Sequence, residues 1–397
     1  MKVFLIGIGY FPGITAGDKN FFFQLVPLLI EIGKVGIEII SINDQEEKFF
    51  IQQIGNHKVK IYNLKRPLHV NQKKFYKRIN NKYFYRHRHR PYQEISEIIF
   101  TIICYKKFIK ELIETSNINI VHFMDNFGLL MPYFKRKFPQ IKFTYAPATY
   151  FPRGKFYNCY LKYSFHKLDK IFPLTKAYRQ ILSNLGIPDD KMEVIRWGPK
   201  VSHEILSREE KETIKSMYGC KKDNLVFLWS GWLQQIQENH FYNSIRVARK
   251  IVEKYQDVKF IFAFKPECYK EKYNAESEDR IHVITDVNNF GLLLESADIF
   301  FSPIEEKNST VSPPLTWIEA MARGTPVLTT RAKGVEELIL DGENGYIAED
   351  FTCILEKIEN IKSSKIDIVS MNARKYVLKN FNIEKIAKNY IKCWQEI

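Results

Sequence analysis

Short runs of β-branched and aromatic residues alternate along this chain with longer amphipathic runs, and the alternation stops once and starts again. Strands written as near-continuous apolar runs, each separated from the next by a helix-like segment, belong to parallel sheets buried on both faces. The first series has strand candidates at 2–8, 37–42, 118–123, 142–146 and 170–173. A helix is expected at 21–33, where Phe22, Leu25, Leu28, Leu29 and Ile32 recur at three-to-four spacing and Gly33 provides the stop. The second series places strands at 225–230, 259–264, 281–284, 299–302 and 326–329, with a helix at 242–255. Between the series a short strand runs into Trp197, Gly198 and Pro199. A chain of 397 residues exceeds what one ordinary core supports, so two domains are expected. They are read as 1–196 and 197–369, with a helical segment at 370–397 that packs across the boundary. The fold class is therefore α/β, with two Rossmann-like doubly wound parallel sheets in tandem and a cleft between them.

Composition narrows the function. The six cysteines, Cys104, Cys159, Cys220, Cys268, Cys353 and Cys393, show neither C-x-x-C nor His-paired spacing, which argues against a metal site and a disulfide framework. The opening Met1 to Ile6 run is broken at Gly7 and reads as a strand rather than a secretory signal, so a cytoplasmic location is expected. A formal charge of +15 implies attraction to something anionic, whether phosphate, acidic lipid or nucleic acid. Gly7 and Gly9 invite a nicotinamide-cofactor reading, but Pro12 stands where the third glycine belongs and the fingerprint fails.

The chemistry is concentrated after the strand that ends at Ser302 and Pro303. A polar loop leads to Val311, Ser312, Pro313, Pro314, Leu315, Thr316, Trp317, Ile318, Glu319, Ala320, Met321, Ala322, Arg323 and Gly324, and then to a strand. The prolines pre-set a helix start, whose first amides lack intrahelical partners and form a seat for phosphate. Glu319 lies about one turn further in, at a reach suited to the two hydroxyls of a ribose. A glutamate on a helix is usually just solvated, but the apolar neighbours on both sides favour the functional reading.

This stretch resembles the nucleotide-sugar motif of glycosyltransferase family 4, the retaining GT-B enzymes also called group 1. The runs Ala297 to Phe300, Lys333 to Leu338 and Asp341 to Tyr346 are similar to that family too, as are the loop from Gly13 to Gly17 and the run from Gly186 to Gly198. The resemblance implies a GT-B fold and donor contacts from Gly17, Gly231, Pro314, Leu315, Thr316 and Glu319. It also sets out the departures. Of the family's two glutamates with seven residues between them, Glu319 fills the second place and Val311 the first. The family's Arg and Lys for the donor diphosphate fall on Trp232, after Gly231, and on Gln237. Desolvated phosphate needs a countercharge, and Lys265, after the 259–264 strand, is the expected substitute.

Two candidates keep two readings each. His122 ends a strand where active-site groups gather in open α/β sheets, and the family's corresponding histidine often faces donor or acceptor; an isolated histidine is as readily structural. The stretch 65–90 runs from Lys65 through Lys73, Lys74, Lys77, Arg78, Lys82, Arg86 and Arg88 to Arg90 with no acidic residue, and interleaves Phe75, Tyr76, Tyr83, Phe84 and Tyr85. It fits either an anionic membrane surface or a solvated charged loop, and no RNA-binding motif accompanies it. Nucleic acid is therefore not expected as a partner.

The function the sequence implies is transfer of a hexose-type sugar from a nucleotide-sugar donor to a saccharide or lipid-linked acceptor, with retention by resemblance, in surface polysaccharide or glycoconjugate synthesis. No cofactor is required, and no Asp-x-Asp pair suggests a metal. The losses at Val311, Trp232 and Gln237 keep a second reading in view, a non-catalytic GT-B scaffold that binds nucleotide or glycan.

Overall fold

The computed structural model describes residues 1–8, 17–43, 48–65, 109–111, 113–124, 131–147, 155–200, 205–231, 238–264, 273, 276–284, 287, 289–304 and 312–397. The chain divides into two compact units, Met1–Trp197 with Ile383–Ile397, and Gly198–Asn382.

In the first unit the elements run β1 (Lys2–Ile8), α1 (Gly17–Gly33), β2 (Gly36–Asn43), β3 (Lys48–Ile54), β4 (His57–Lys65), β5 (Ile120–Phe123), α2 (Met131–Lys137), β6 (Lys142–Tyr145), α3 (Lys155–His166), β7 (Lys170–Ile171) and α4 (Lys176–Asn184). Among the described residues the sheet order is β3-β4-β2-β1-β5-β6-β7. Every pairing is parallel except β3 with β4. That pair is a hairpin turned at Gly55, whose φ of 58° suits a residue without a Cβ. Helix α1 buries Phe21, Phe22, Leu25, Val26 and Leu29, while of the expected stripe Leu28 is half-buried and Ile32 is exposed.

The second unit runs α5 (Arg208–Met217), β8 (Leu225–Gly231), α6 (Glu238–Lys254), β9 (Val258–Phe264), β10 (Ile281–Ile284), α7 (Phe290–Ser296), β11 (Ile299–Phe301), α8 (Leu315–Ala322), β12 (Val327–Thr330), β13 (Tyr346–Ala348), α9 (Ile354–Ser363) and α10 (Ile366–Asn380). Its sheet, among the described residues, is parallel throughout in the order β10-β9-β8-β11-β12-β13. Alternate residues of β8 enter two different cores. Val226 and Leu228 join Trp317, Met321, Ala373 and Val377, while Phe227 and Trp229 join Phe241, Ile245, Ile354 and Ile358. Helices on both faces explain why the strands read as continuous apolar runs.

The last helix, α11 (Ile383–Gln395), belongs to the first unit. It packs on α1 so closely that a Cβ on Gly33 would lie 2.7 Å from Ile391 Cδ1. The segment 370–397 thus holds most of α10 (Ile366–Asn380) and all of α11. α10 completes the second unit, and the break falls at Phe381 and Asn382 rather than at 369. The two points where the chain changes units lie side by side, since a Cβ on Gly198 would stand 2.0 Å from the Phe381 carbonyl oxygen. The expected boundary after residue 196 differs from the observed one by a single residue.

Candidate functional site

In the second sheet the chain moves outward from β8 through β9 to β10, then returns to lay β11 on the other side of β8 and continues to β12 and β13. The direction of winding reverses between β8 and β11. In open α/β sheets the crevice beyond the carboxyl ends of such a pair is where ligands bind. Gly231 ends β8 at this position, and the Trp229 ring covers it so closely that a Cβ there would lie 2.4 Å from the ring. A side chain at 231 would have to displace the indole from its contacts with Phe241, Phe262 and Phe264.

Beyond β11 the backbone is held by threonines from the neighbouring strand. Thr329 Oγ1 donates to the Ser302 carbonyl at 2.8 Å, and Thr330 Oγ1 accepts from the Ile304 amide at 2.7 Å. These bonds fix the strand end that leads to α8. Helix α8 opens at Pro314, extended at φ −55° and ψ 140°, with no side-chain cap. Its first backbone bond runs from Trp317 N–H to the Pro314 carbonyl at 3.0 Å, so the Leu315 and Thr316 amides stand ahead of the intrahelical ladder. Trp317, Ile318, Ala320, Met321 and Ala322 are buried, which anchors one side of the helix in the core. Leu315, Thr316 and Glu319 are half-buried at spacings of three and four, Leu315 with its side chain packed against that core. The structure therefore brings Pro314, Leu315, Thr316 and Glu319 together, on the helix that follows the strand next to the one Gly231 ends. That juxtaposition offers backbone donors for an anion and a carboxylate one turn along for hydroxyl groups.

The remaining expected residues fare differently. Gly17 is the first residue of α1, in the first unit. Lys265, Val311, Trp232 and Gln237 lie outside the described residues, as does 66–90 of the basic stretch. His122 is fully buried. Its Nδ1 lies 2.8 Å from Thr144 Oγ1, and its ring is enclosed by Phe172, Tyr390 and Trp394 at centroid distances of 5.7, 5.4 and 5.5 Å. Burial lowers its pKa to about 3, which keeps the imidazole neutral. A group that neither solvent nor substrate reaches has no proton to trade, so the catalytic reading of His122 gives way to the structural one.

Several motif residues hold the fold. Asp298 accepts from the Val226 amide at 2.7 Å and pairs with Lys215 at 2.6 Å, tying α5 to β8. Asn344, buried, accepts from the Leu340 amide at 2.7 Å, and Asp341 accepts from the Ile347 amide at 2.8 Å, which shapes the turn into β13. After β12, Arg331 is engaged by Glu336 and Glu349, each at 2.6 Å. Lys333, two residues on, is exposed and makes no ion pair among the described residues.

Comparison with known proteins finds a family match inside the second unit. The family model for glycosyl transferases group 1 matches residues 224–363. The chain is similar to N-acetyl-alpha-D-glucosaminyl L-malate synthase of Bacillus anthracis, 32% identical over 121 residues, 30% of this chain and 31% of that protein. It is similar to the capsular polysaccharide biosynthesis glycosyltransferase CapM of Staphylococcus aureus, 25% identical over 236 residues, 55% of this chain and 57% of that one. These matches span between about a third and three-fifths of the relatives' own length. Among solved structures, a sucrose-phosphate synthase from Thermosynechococcus elongatus superposes with a TM-score of 0.73 at 13% identity, covering 100% of this chain and 98% of that one. Anabaena HepE in complex with UDP-glucose gives 0.64 at 12% identity, with both chains covered completely, 100% each. The fold, two parallel-sheet α/β units, is GT-B. Residues 224–363, which contain β8, α8 and the switch point between them, are the part of the chain that resembles the glycosyl transferases group 1 family.

Proposed function

We propose that the chain transfers a hexose-type sugar from a nucleotide-sugar donor to a saccharide or lipid-linked acceptor in surface polysaccharide or glycoconjugate synthesis, on the cytoplasmic side of the membrane, with the anomeric configuration retained. The observation that carries this reading is the half-buried face of α8, where the Leu315 and Thr316 amides open the helix and Glu319 follows one turn later. In this reading the amides meet the donor diphosphate, and Glu319 accepts hydrogen bonds from the ribose hydroxyls. The bond between the anomeric carbon and the diphosphate breaks as the acceptor oxygen attaches to the same face of the sugar. The acceptor's proton leaves with the diphosphate. Catalysis of this kind rests on positioning and on stabilising the departing charge, for which Lys333 and Lys265 are the proposed countercharges, without a metal ion. The relatives named above, a capsular polysaccharide biosynthesis glycosyltransferase and an N-acetyl-alpha-D-glucosaminyl L-malate synthase, and the UDP-glucose in the Anabaena complex, support a nucleotide sugar as the donor class. Uridine nucleotides are accordingly the first to try.

The test is calorimetric titration with nucleoside diphosphates and their sugars, followed by measurement of diphosphate release with candidate acceptors. One base series should bind, and Glu319→Ala should weaken it by about tenfold or more, the worth of hydrogen bonds to a charged group. No binding by any nucleotide would refute the reading. Binding without release, across donors and acceptors, would favour the scaffold that the residues at Val311, Trp232 and Gln237 suggest.

A further inference from the structure

We propose that the outward face of the β3–β4 hairpin docks the protein on an anionic lipid bilayer. The hairpin register sets Phe49 opposite Tyr62, Ile51 opposite Lys60 and Gln53 opposite Lys58, so these side chains share one face. Phe49 and Ile51 are 55% and 57% exposed, although strand residues of this kind are normally covered. The Phe49 and Tyr62 rings lie 5.1 Å apart, joining the apolar groups into one patch. On the other face of the hairpin Ile54, Val59 and Ile61 are buried, so the exposure is one-sided.

Two exposed lysines of β4, Lys58 and Lys60, share this face with the patch. Lys58 is exposed and makes no ion pair among the described residues, and the Lys60 side chain is 51% exposed. The nearby acid, Glu38, is buried and already holds Lys2 at 2.8 Å, with Lys60 at 3.8 Å. From Lys65, where β4 ends, the sequence continues to residue 90 with many lysines and arginines, interleaved aromatics and no acidic residue. Apolar side chains beside lysines match the interface of a bilayer, with acyl chains below and anionic headgroups around them. A single-stranded nucleic acid would call for ring faces, and Ile51 offers none. A second copy packed on the same patch by a two-fold axis would add its own Lys58 and Lys60 to the same interface, with no acid supplied to offset them. The bilayer is the occupant that both the apolar and the charged groups favour.

The test is flotation of the full chain with vesicles of phosphatidylcholine alone or with added phosphatidylglycerol, at low and high salt. The chain should float with the anionic vesicles and be released by salt. The double variant Phe49→Ser with Ile51→Ser should bind at least about tenfold more weakly, since two large apolar groups are removed from the interface. Lys58→Gln should lower binding about fivefold, the worth of one lysine near an anionic surface. The thermal transition of each variant reports its folding, because these side chains lie outside the core. Failure of the wild type to float, or undiminished flotation of the double variant, would overturn the proposal. A concentration-dependent dimer abolished by the double variant would overturn it in favour of self-association. Nucleotide binding in the same preparations is a separate readout, so the donor reading and the membrane reading can fail independently.

Discussion

Replacing His122 by glutamine should make the chain's stability less sensitive to acid, and the size of the effect follows from its burial. The free imidazole titrates at 6.5, and burial lowers the folded value to about 3. As pH falls, protons therefore bind the unfolded chain first. The folded state keeps its full stability above pH 6.5 and loses it progressively as pH falls from 6.5 towards 3. Between pH 8 and pH 5 the loss from this one group is about 2 kcal/mol. Glutamine does not titrate, so His122→Gln should lack that portion while sharing every other pH-dependent contribution. The variant also leaves a space among Phe172, Tyr390 and Trp394 and should be less stable at all pH values. Only the difference in pH dependence tests the reasoning. Urea unfolding of both proteins at pH 8, 6 and 5 measures it, and histidine side-chain NMR over the same range should show one imidazole, absent from the variant, that stays neutral to pH 5. Parallel stability curves for the two proteins, or an imidazole assigned to His122 that titrates near its free value, would refute the account.

Two further outcomes follow from close contacts and from charge. Gly198→Ala should destabilise the protein by at least about 2 kcal/mol, because the new Cβ meets a backbone carbonyl that cannot rotate away. Gly342→Ala, at φ 78° with nothing within 4 Å, should cost only about 1–2 kcal/mol, and equal thermal shifts for the two would contradict this. Lys333→Gln should weaken nucleoside diphosphate binding about fivefold or more and flatten its salt dependence in calorimetry, whereas an unchanged affinity would remove Lys333 from the site.

Most of the fold was legible because the two central sheets bury both faces of their strands. β1 and β10 have the bounds expected from apolar runs alone, β8 and β9 differ by a residue at one end, and β2 and β12 differ by a residue at each end. The hairpin at the first sheet's edge escaped the search for such runs. The apolar run of β3 is only Phe49 to Ile51, β4 alternates Lys58 and Lys60 with Val59 and Ile61, and the sequence signal of the hairpin is the Gly55-Asn56 pair between them. β13 has three residues, too few to show a period, and depends on the Asp341 and Asn344 side chains that shape its approach. The start of α8 and Glu319 one turn later could be read because both are local in sequence. The role of His122 could not be read this way. Its surroundings come from Tyr390 and Trp394, which no pattern near position 122 announces. The division of the last helices was hidden for the same reason, since α10 and α11 are both amphipathic and differ in the partner each buries.

The place of α11 in the first unit also bears on how the protein comes off the ribosome. The second unit is continuous, from Gly198 to Asn382, and emerges with all its strands and both layers of helices already present. The first unit begins sooner and finishes later. Until α11 emerges, the hollow around His122 and Phe172 and the exposed flank of α1 at Gly33 have no cover. Closing that gap joins residues separated by almost the whole chain, the kind of long-range contact that slows assembly. Synthesis from the amino terminus should therefore complete the two units in the reverse of their order in sequence.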